Sequence, residues 1–334
     1  MRRANNLLAE IENLDNLRLA FWKASKGKRY SASVLDYQAR LEENLWSLKK
    51  AIESGIVEVG DYRYFFVFEP KKREICASAF CEQVLHHALM NSCHAYFERA
   101  QIFDSYASRK GKGTYAALDR AKVYNRQYVW YLKLDVRKFF ASIQHTVLKK
   151  QLARLFKEER LLSILYQIID SYESSTGCGL PIGNLTSQYF ANHYLSGLDH
   201  YIKERLRIKA YIRYMDDMVL WDSDKAKLLD AHASIATFCN ERLQLVLKPM
   251  QLNNTNLGLP LLGYRLFPHH VRLLRKSKLR FIEKAGKIYL AKGLGIWDDE
   301  ICQRKMLPLL AFIDYSDSRA FRKSVISTLE GQAS

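Results

Sequence analysis

In the stretch YIRYMDDMVLW, residues 211–221, two adjacent carboxylates, Asp216 and Asp217, interrupt an otherwise apolar and aromatic run. The flanks AYIRYM and MVLW have the β-branched and aromatic character of strands, and a two-residue gap suits a hairpin connection. An Asp-Asp hairpin tip needs no catalytic purpose, because each side chain can bond its own backbone. What the pair does depends on the elements around it.

Those elements follow a definite order. Residues 1–58 read as a helical extension, with an apolar stripe at Leu41, Leu45, Leu48 and Ile52. YRYFFVFEPKKREICA alternates like a hairpin with a basic tip, and residues 80–100 read as a helix. YASRKGKGTYAALDRAK is a basic, Gly-containing loop leading into a helix, and QYVWYLKLDV is a strand ending on Asp135. Residues 144–172 read as helical, TGCGLPIGNLTSQ as a Gly-rich loop, and a helix runs from about 187 to 207. After the hairpin come a helix over about 224–243 and a strand pair ending at LPLLGYRLF. The chain from 266 onward is helical and basic, opening VRLLRKSKLRFIEKAGK.

The order β-α-β-β-α-β suits a split βαβ, ferredoxin-like sheet within an α+β fold. In that sheet Asp135 ends one central strand and Asp216 sits at the turn beside it. Unneutralised like charges repel strongly in a partly dry site, so a cation is what makes the arrangement cheap. Magnesium takes oxygen ligands and favours one or two carboxylates plus substrate phosphates. Two such ions, about 3.5–4 Å apart, stabilise both the attacking and the leaving oxygen of an in-line phosphoryl transfer.

Charge points to the partner. Lys and Arg total 52 against 35 Asp and Glu, a formal net charge of +17. Such an excess costs self-repulsion, and its usual compensation is a polyanion such as nucleic acid. A membrane is the competing partner, but no apolar stretch approaches the roughly 20 residues that span a bilayer. The basic start MRRANNLLAEIENLDNL is soon broken by acidic residues and reads as an amphipathic helix, not a signal peptide. The six cysteines form no CxxC pair and have no His at zinc spacing, which suits reduced residues of a cytoplasmic protein. His86-His87 and His269-His270 are adjacent pairs, which neither helix nor strand directs to one side.

LKLDVRKFFASI, GLPIGNLTSQYFAN, YMDD and LGYRL follow one another in the order and spacing of reverse transcriptases. FEPKKREI and YASRKGKGT resemble the two finger motifs of bacterial members, so the resemblance covers roughly residues 60–265. It implies a right-hand polymerase: fingers and palm interleaved over 59–265 (palm about 128–145 and 208–265) and a helical thumb over 266–334. Most such enzymes carry Gln before the glycine of PIGNLTSQ and Ser-Pro at its end. Ile182 and Ser187-Gln188 instead resemble reverse transcriptases of diversity-generating retroelements, as does AFWKASKGKRY. In that family a template-repeat RNA is copied into cDNA with frequent errors opposite adenine, and the cDNA replaces part of a target gene. No long region follows the thumb, so no RNase H or intron-type endonuclease domain is expected. The alternative within the polymerases is a stand-alone, retron-like or defence-associated bacterial reverse transcriptase.

The resemblance also implies roles. Asp135 and Asp216 would ligate two Mg²⁺ ions (with Mn²⁺ as a substitute), Asp217 would support them, and the Val136 carbonyl would add a ligand. Phe140 matches the aromatic beneath the incoming sugar that excludes a 2′-hydroxyl; the alternative is a core aromatic. Arg73 and Arg109 sit where similar enzymes hold the triphosphate, and guanidinium forks suit phosphate oxygens. Their alternative is a solvated basic face or general template contact, and Lys71 and Lys72 are weaker candidates. Ile182, Gly183 and Gln188 line the expected nucleotide site, although Gly183 also reads as a plain loop glycine before a helix. Lys248 falls near a lysine thought to protonate pyrophosphate, but its local pattern departs from the usual one. Expected partners are template RNA, cDNA and primer strand, dNTPs and a small, basic, pentameric accessory protein, with no membrane. A nucleotide cyclase would share the palm and metal carboxylates but not the basic finger motifs. A noncatalytic RNA-binding relic has no reason to retain Asp135, Asp216 and Asp217.

Overall fold

A computed structural model describes residues 3–68 and 72–333. Four helices open the chain: α1 (Leu8–Ile11), α2 (Leu14–Ser25), α3 (Ala32–Ala39) and α4 (Leu41–Ser54). Asn13 caps α2 by accepting from the Asp15 N–H, and Gly55 ends α4 in the left-handed region, φ +74°. Leu45 and Ile52 of the α4 stripe are fully buried, and Leu41 and Leu48 pack against them half-exposed. β1 (Tyr62–Val67) and β2 (Arg73–Ser78) form the expected basic hairpin, and Lys71 of its tip lies outside the described residues. The helices α5 (Phe80–Arg99) and α6 (Thr114–Gln127) follow. α5 is covered nearly all round, Glu82 and His86 included, because α1–α3 pack on one side and α10 on the other.

Next come β3 (Trp130–Leu134), α7 (Phe139–Ser142), α8 (His145–Leu155), α9 (Glu159–Asp170) and α10 (Leu185–His200). The predicted helix to 207 runs instead into one π-turn at Tyr201–Arg205. Then β4 (Ala210–Tyr214), β5 (Asp217–Asp222), α11 (Lys225–Leu243) and β6 (Gln251–Asn254) complete the palm. The palm sheet has the order β4-β5-β3-β6 and is antiparallel throughout. That is the split βαβ arrangement expected from the order of elements.

Both faces of this sheet are buried, which is why its strands read as near-continuous apolar runs. Leu132, Leu134, Tyr211, Met218 and Leu220 face one core with α10, α11 and the N-terminal helices. The alternate residues Tyr131, Ile212, Val219 and Trp221 face a second core with Ala117, Leu118 and Ala121 of α6. That second core also holds a small sheet of β7 (Leu259–Leu261), β8 (Tyr264–Leu266) and β9 (Val271–Leu273). The third strand, β9, was expected to be helical. Asn125 joins the two sheets: it accepts from the Trp221 indole at 2.7 Å and donates to the Leu266 carbonyl at 2.7 Å. The helices α12 (Arg275–Gly293), α13 (Asp299–Asp314) and α14 (Arg319–Ala333) end the chain, with α12 packed on the other two.

Candidate active site

The register of β3 on β5 pairs Leu134 with Met218, so Asp135 leaves the sheet beside the β4–β5 turn. Tyr214 pairs with Asp217, making Met215 and Asp216 the two tip residues. The tip is thus one residue earlier than an Asp-Asp turn would be, and Asp217 opens β5. Met215 sits at φ +57°, a conformation uncommon for a residue with a long side chain.

Asp216 carries the electrostatic signature of the site. Burial pushes its carboxyl up to about 6, and the nearby charges of Asp135 and Asp217 push the same way. Asp135 accepts from the Lys248 ammonium at Oδ2, 2.6 Å, while its Oδ1 is buried with no hydrogen-bond partner. Asp217 Oδ1 lies 3.1 Å from the Lys133 ammonium, which also donates to the Pro260 carbonyl at 3.2 Å. A buried, unpartnered carboxylate oxygen next to a carboxyl that gives up its proton less readily than usual is a pair that a cation would stabilise. Among the described residues, no three His, Cys, Asp or Glu side chains converge closely enough to form a protein-only cage. The donor set therefore fits an ion that draws its remaining ligands from main chain and substrate, as magnesium does. Val136 is fully buried, and the main-chain bonds around it run from the Lys248 N–H to the Asp135 carbonyl and from the Arg137 N–H to the Val246 carbonyl. Its own carbonyl takes no part in that pairing.

Lys248 stands against Asp135 despite its unusual local sequence. The chain 246–248 runs antiparallel to 135–137 and delivers it there. Phe140, in α7, is half-buried and packs edge-on to Phe139 with ring centroids 5.7 Å apart. Its carbonyl accepts from the Leu180 N–H, so α7 and the Gly-rich loop are joined beside the carboxylates. In that loop the Ile182 carbonyl accepts from the Cys76 N–H at 2.8 Å, stapling it to β2. Gly183 is at φ +132°, and a Cβ there would stand 3.0 Å from Ile75 Cγ2 and 3.1 Å from the Cys76 carbonyl. The close approach that excludes a side chain at Gly183 is thus to the finger hairpin. Gln188 accepts from the Ser108 hydroxyl at 3.1 Å, tying α10 to the second finger motif.

The two finger arginines part company. Arg73 opens β2 and is exposed, next to Lys72, whose ammonium lies 4.3 Å from the centre of the Phe66 ring. Arg109 is turned inward instead. It grips both oxygens of Glu98 and donates to the carbonyls of Ile102 (2.6 Å) and Ser105 (2.7 Å). Four of its five donors are used in folding its own loop, which leaves little of the fork for a triphosphate.

Sequence reasoning did not single out Lys133, Arg213 or Asp199. Arg213 and Asp199 form an ion pair with both side chains completely buried, 2.7 Å apart, behind the Met215–Asp216 turn. The signal was legible: Arg213 is the single charge in AYIRYM, and an unpaired charge does not sit in a buried strand.

Residues 72–266, more than half of the chain, match the family described as Reverse transcriptase (RNA-dependent DNA polymerase). Two proteins of Saccharomyces cerevisiae are similar to it. The COX1/OXI3 intron 1 protein is 20% identical over 216 residues, covering 61% of this chain and 26% of that protein. The COX1/OXI3 intron 2 protein is 23% identical over 132 residues, covering 37% and 15%. Protein YkfC of Escherichia coli K12 is 22% identical over 181 residues, covering 50% and 48%. The chain thus spans less than half the length of these curated relatives. Among solved structures, apo telomerase from Candida tropicalis, truncated from its C-terminal domain, superposes with a TM-score of 0.51 at 13% identity. That superposition covers 70% of this chain and 59% of the telomerase, a likeness of fold: the right-hand polymerase. Matched from β2 of the finger hairpin through the carboxylate turn to β8, the chain belongs to the reverse transcriptase family.

Proposed function

We propose that this protein copies an RNA template into cDNA by divalent-metal-dependent phosphoryl transfer. The observation that carries the reading is the Asp135–Asp216 pair, one carboxyl raised by burial and by its charged neighbours and the other with an orphaned buried oxygen. Asp135, Asp216 and the Val136 carbonyl would hold the metal, with Asp217 adding negative charge nearby. Bound there, two Mg²⁺ ions (or Mn²⁺) would supply charge neutralisation for the attacking and leaving oxygens. Lys133 and Lys248 are placed to balance the carboxylates' charge and to release it when a metal arrives. Phe140 would bear on the sugar of the dNTP, and exposed Arg73 and Lys72 would draw in its phosphates. The basic helices α12 and α14 would grip the template–primer duplex, an electrostatic contact that weakens steeply with salt.

The finer reading is a diversity-generating retroelement enzyme acting in the cytoplasm, with adenine-directed errors and a small, basic, pentameric accessory protein. Its support is Ile182 and Ser187-Gln188, where related polymerases carry Gln and Ser-Pro. All six cysteines are free, as suits a reducing compartment.

The test is primer extension on an RNA template with Mg²⁺. Wild type should make cDNA, and the double substitution Asp216→Asn, Asp217→Asn should abolish synthesis while template binding persists. Wild-type rates in the double mutant would sink the metal assignment. Recovery of neither RNA nor a small neighbour-encoded protein in a pull-down would favour a stand-alone enzyme.

A further inference from the structure

The chemistry assigned to Asp216 requires that its turn hold one shape, yet Met215 occupies a backbone conformation that a methionine does not favour. The groups behind the turn account for it. Arg213 is completely buried and all five of its N–H donors are satisfied. Nε and Nη2 form a fork onto Asp199 at 2.8 and 2.7 Å, and Nη2 also reaches Gln101 Oε1 at 3.1 Å. Nη1 donates to Asn192 Oδ1 at 3.1 Å and to the main-chain carbonyl of Met215 at 3.0 Å. The last bond pins the residue immediately before Asp216.

Arg213 is also where the fingers meet the palm. Its N–H donates to the Asp104 carbonyl, and its carbonyl accepts from the Tyr106 N–H, both at 2.9 Å, so the 104–106 segment runs beside β4. Asn192, on α10, donates to the Ala107 carbonyl at 2.9 Å while it accepts from Arg213. The Tyr211 hydroxyl donates to Asp199 at 2.7 Å and completes the carboxylate's partners. A planar fork with five fixed donors can hold this set together; an ammonium with three cannot.

We infer that Arg213, oriented by Asp199, Asn192 and Tyr211, is a positioning residue that fixes the Met215–Asp216 turn for metal binding and ties it to the 102–109 finger loop. This rests on the polymerase reading above. It also gives Arg109 a different duty: by gripping Ile102, Ser105 and Glu98 it shapes the loop that docks on Arg213.

Two variants of the full chain test it. Arg213→Lys keeps the charge and loses the fork; Tyr211→Phe removes one bond to Asp199 and keeps the ring. Urea unfolding reports on folding, electron paramagnetic resonance follows Mn²⁺ binding without substrate, and primer extension gives kcat and the KM for dNTP. Folded Arg213→Lys should bind template–primer as wild type does, hold Mn²⁺ about 10–100-fold more weakly and lose kcat by a similar factor. Tyr211→Phe should show a smaller loss of the same kind. Folded Arg213→Lys with wild-type Mn²⁺ binding and kcat overturns the inference. If Arg213→Lys does not fold, Tyr211→Phe decides: weaker Mn²⁺ binding at an unchanged unfolding midpoint supports it, and unchanged binding and kcat overturn it. A wild-type chain that makes no DNA on a primed template would count against the polymerase reading alone, since the Mn²⁺ comparison still stands.

Discussion

Replacing Asp216 by Asn should stabilise the metal-free protein while destroying its chemistry. Burial and the neighbouring carboxylates raise Asp216 from the ordinary 3.8 to about 6 in the folded chain. A carboxyl with a raised folded value keeps its proton longer in the fold than in the unfolded chain. Its contribution is therefore favourable at low pH and is lost as pH climbs from about 4 through about 6, levelling off above that. A rise of roughly two units at about 1.4 kcal/mol each puts the cost of ionising Asp216 near 3 kcal/mol. Asn keeps the shape without the charge, but its amide hydrogens need partners, and one left unsatisfied returns about 1 kcal/mol or more of the gain. The expected net is ~1–2 kcal/mol in favour of Asp216→Asn at pH 8, falling to about zero or slightly below near pH 4, where only the amide cost is left. The assay is urea unfolding of both proteins in EDTA at the two pH values. Adding Mg²⁺ should then raise the midpoint of wild type by mass action and leave that of the variant in place. An Asn variant less stable than wild type at pH 8 in EDTA, or a gain that persists undiminished at pH 4, would refute the reasoning.

Three further outcomes follow from the same site. Phe140→Ala should open space beneath the ribose and admit ribonucleotides on an RNA template; a variant that rejects them as wild type does would make Phe140 a packing residue. Ile182→Gln should lower misincorporation opposite template adenine by several-fold, since a hydrogen bond of about 1 kcal/mol is worth that much in discrimination, with cDNA sequencing as the readout. Gly183→Ala should destabilise the fingers by ~1–3 kcal/mol, because the new methyl meets Ile75 and the Cys76 carbonyl at a φ of +132°. Hydrogen exchange should show the loss concentrated in β1 and β2.

The palm was legible because its signals are local. Strand runs, a hairpin gap and helix lengths each follow from residues close in sequence, and their order leaves few topologies. The carboxylates announced themselves as charges in apolar strands. Contacts across long separations were not legible in the same way. Nothing near Lys133 in LKLD tells that it will reach Asp217 and Pro260, because that depends on how β3 registers against β5 and where β7 lies. Arg109 illustrates the opposite failure. Its basic, Gly-containing surroundings suggest a phosphate site, and only the folded path of 98–109 shows Glu98 and two carbonyls filling its fork. β9 was missed because a three-residue strand inside a basic, helix-rich stretch has too few residues to show its period.

The segment that lies along β4 has a consequence for how the chain reaches its native state. β4 is one of the two outer strands of the palm sheet, and an outer strand with free main-chain groups invites pairing with another molecule. Residues 104–106 occupy part of that edge only after a region a hundred positions earlier has folded back upon it. Until then the strand AYIRY lies open, apolar and aromatic except for the guanidinium of its fourth residue, Arg213. Self-association during synthesis or refolding should therefore begin at this edge, and the charge that later anchors the turn is also what keeps the unfinished strand from being wholly adhesive.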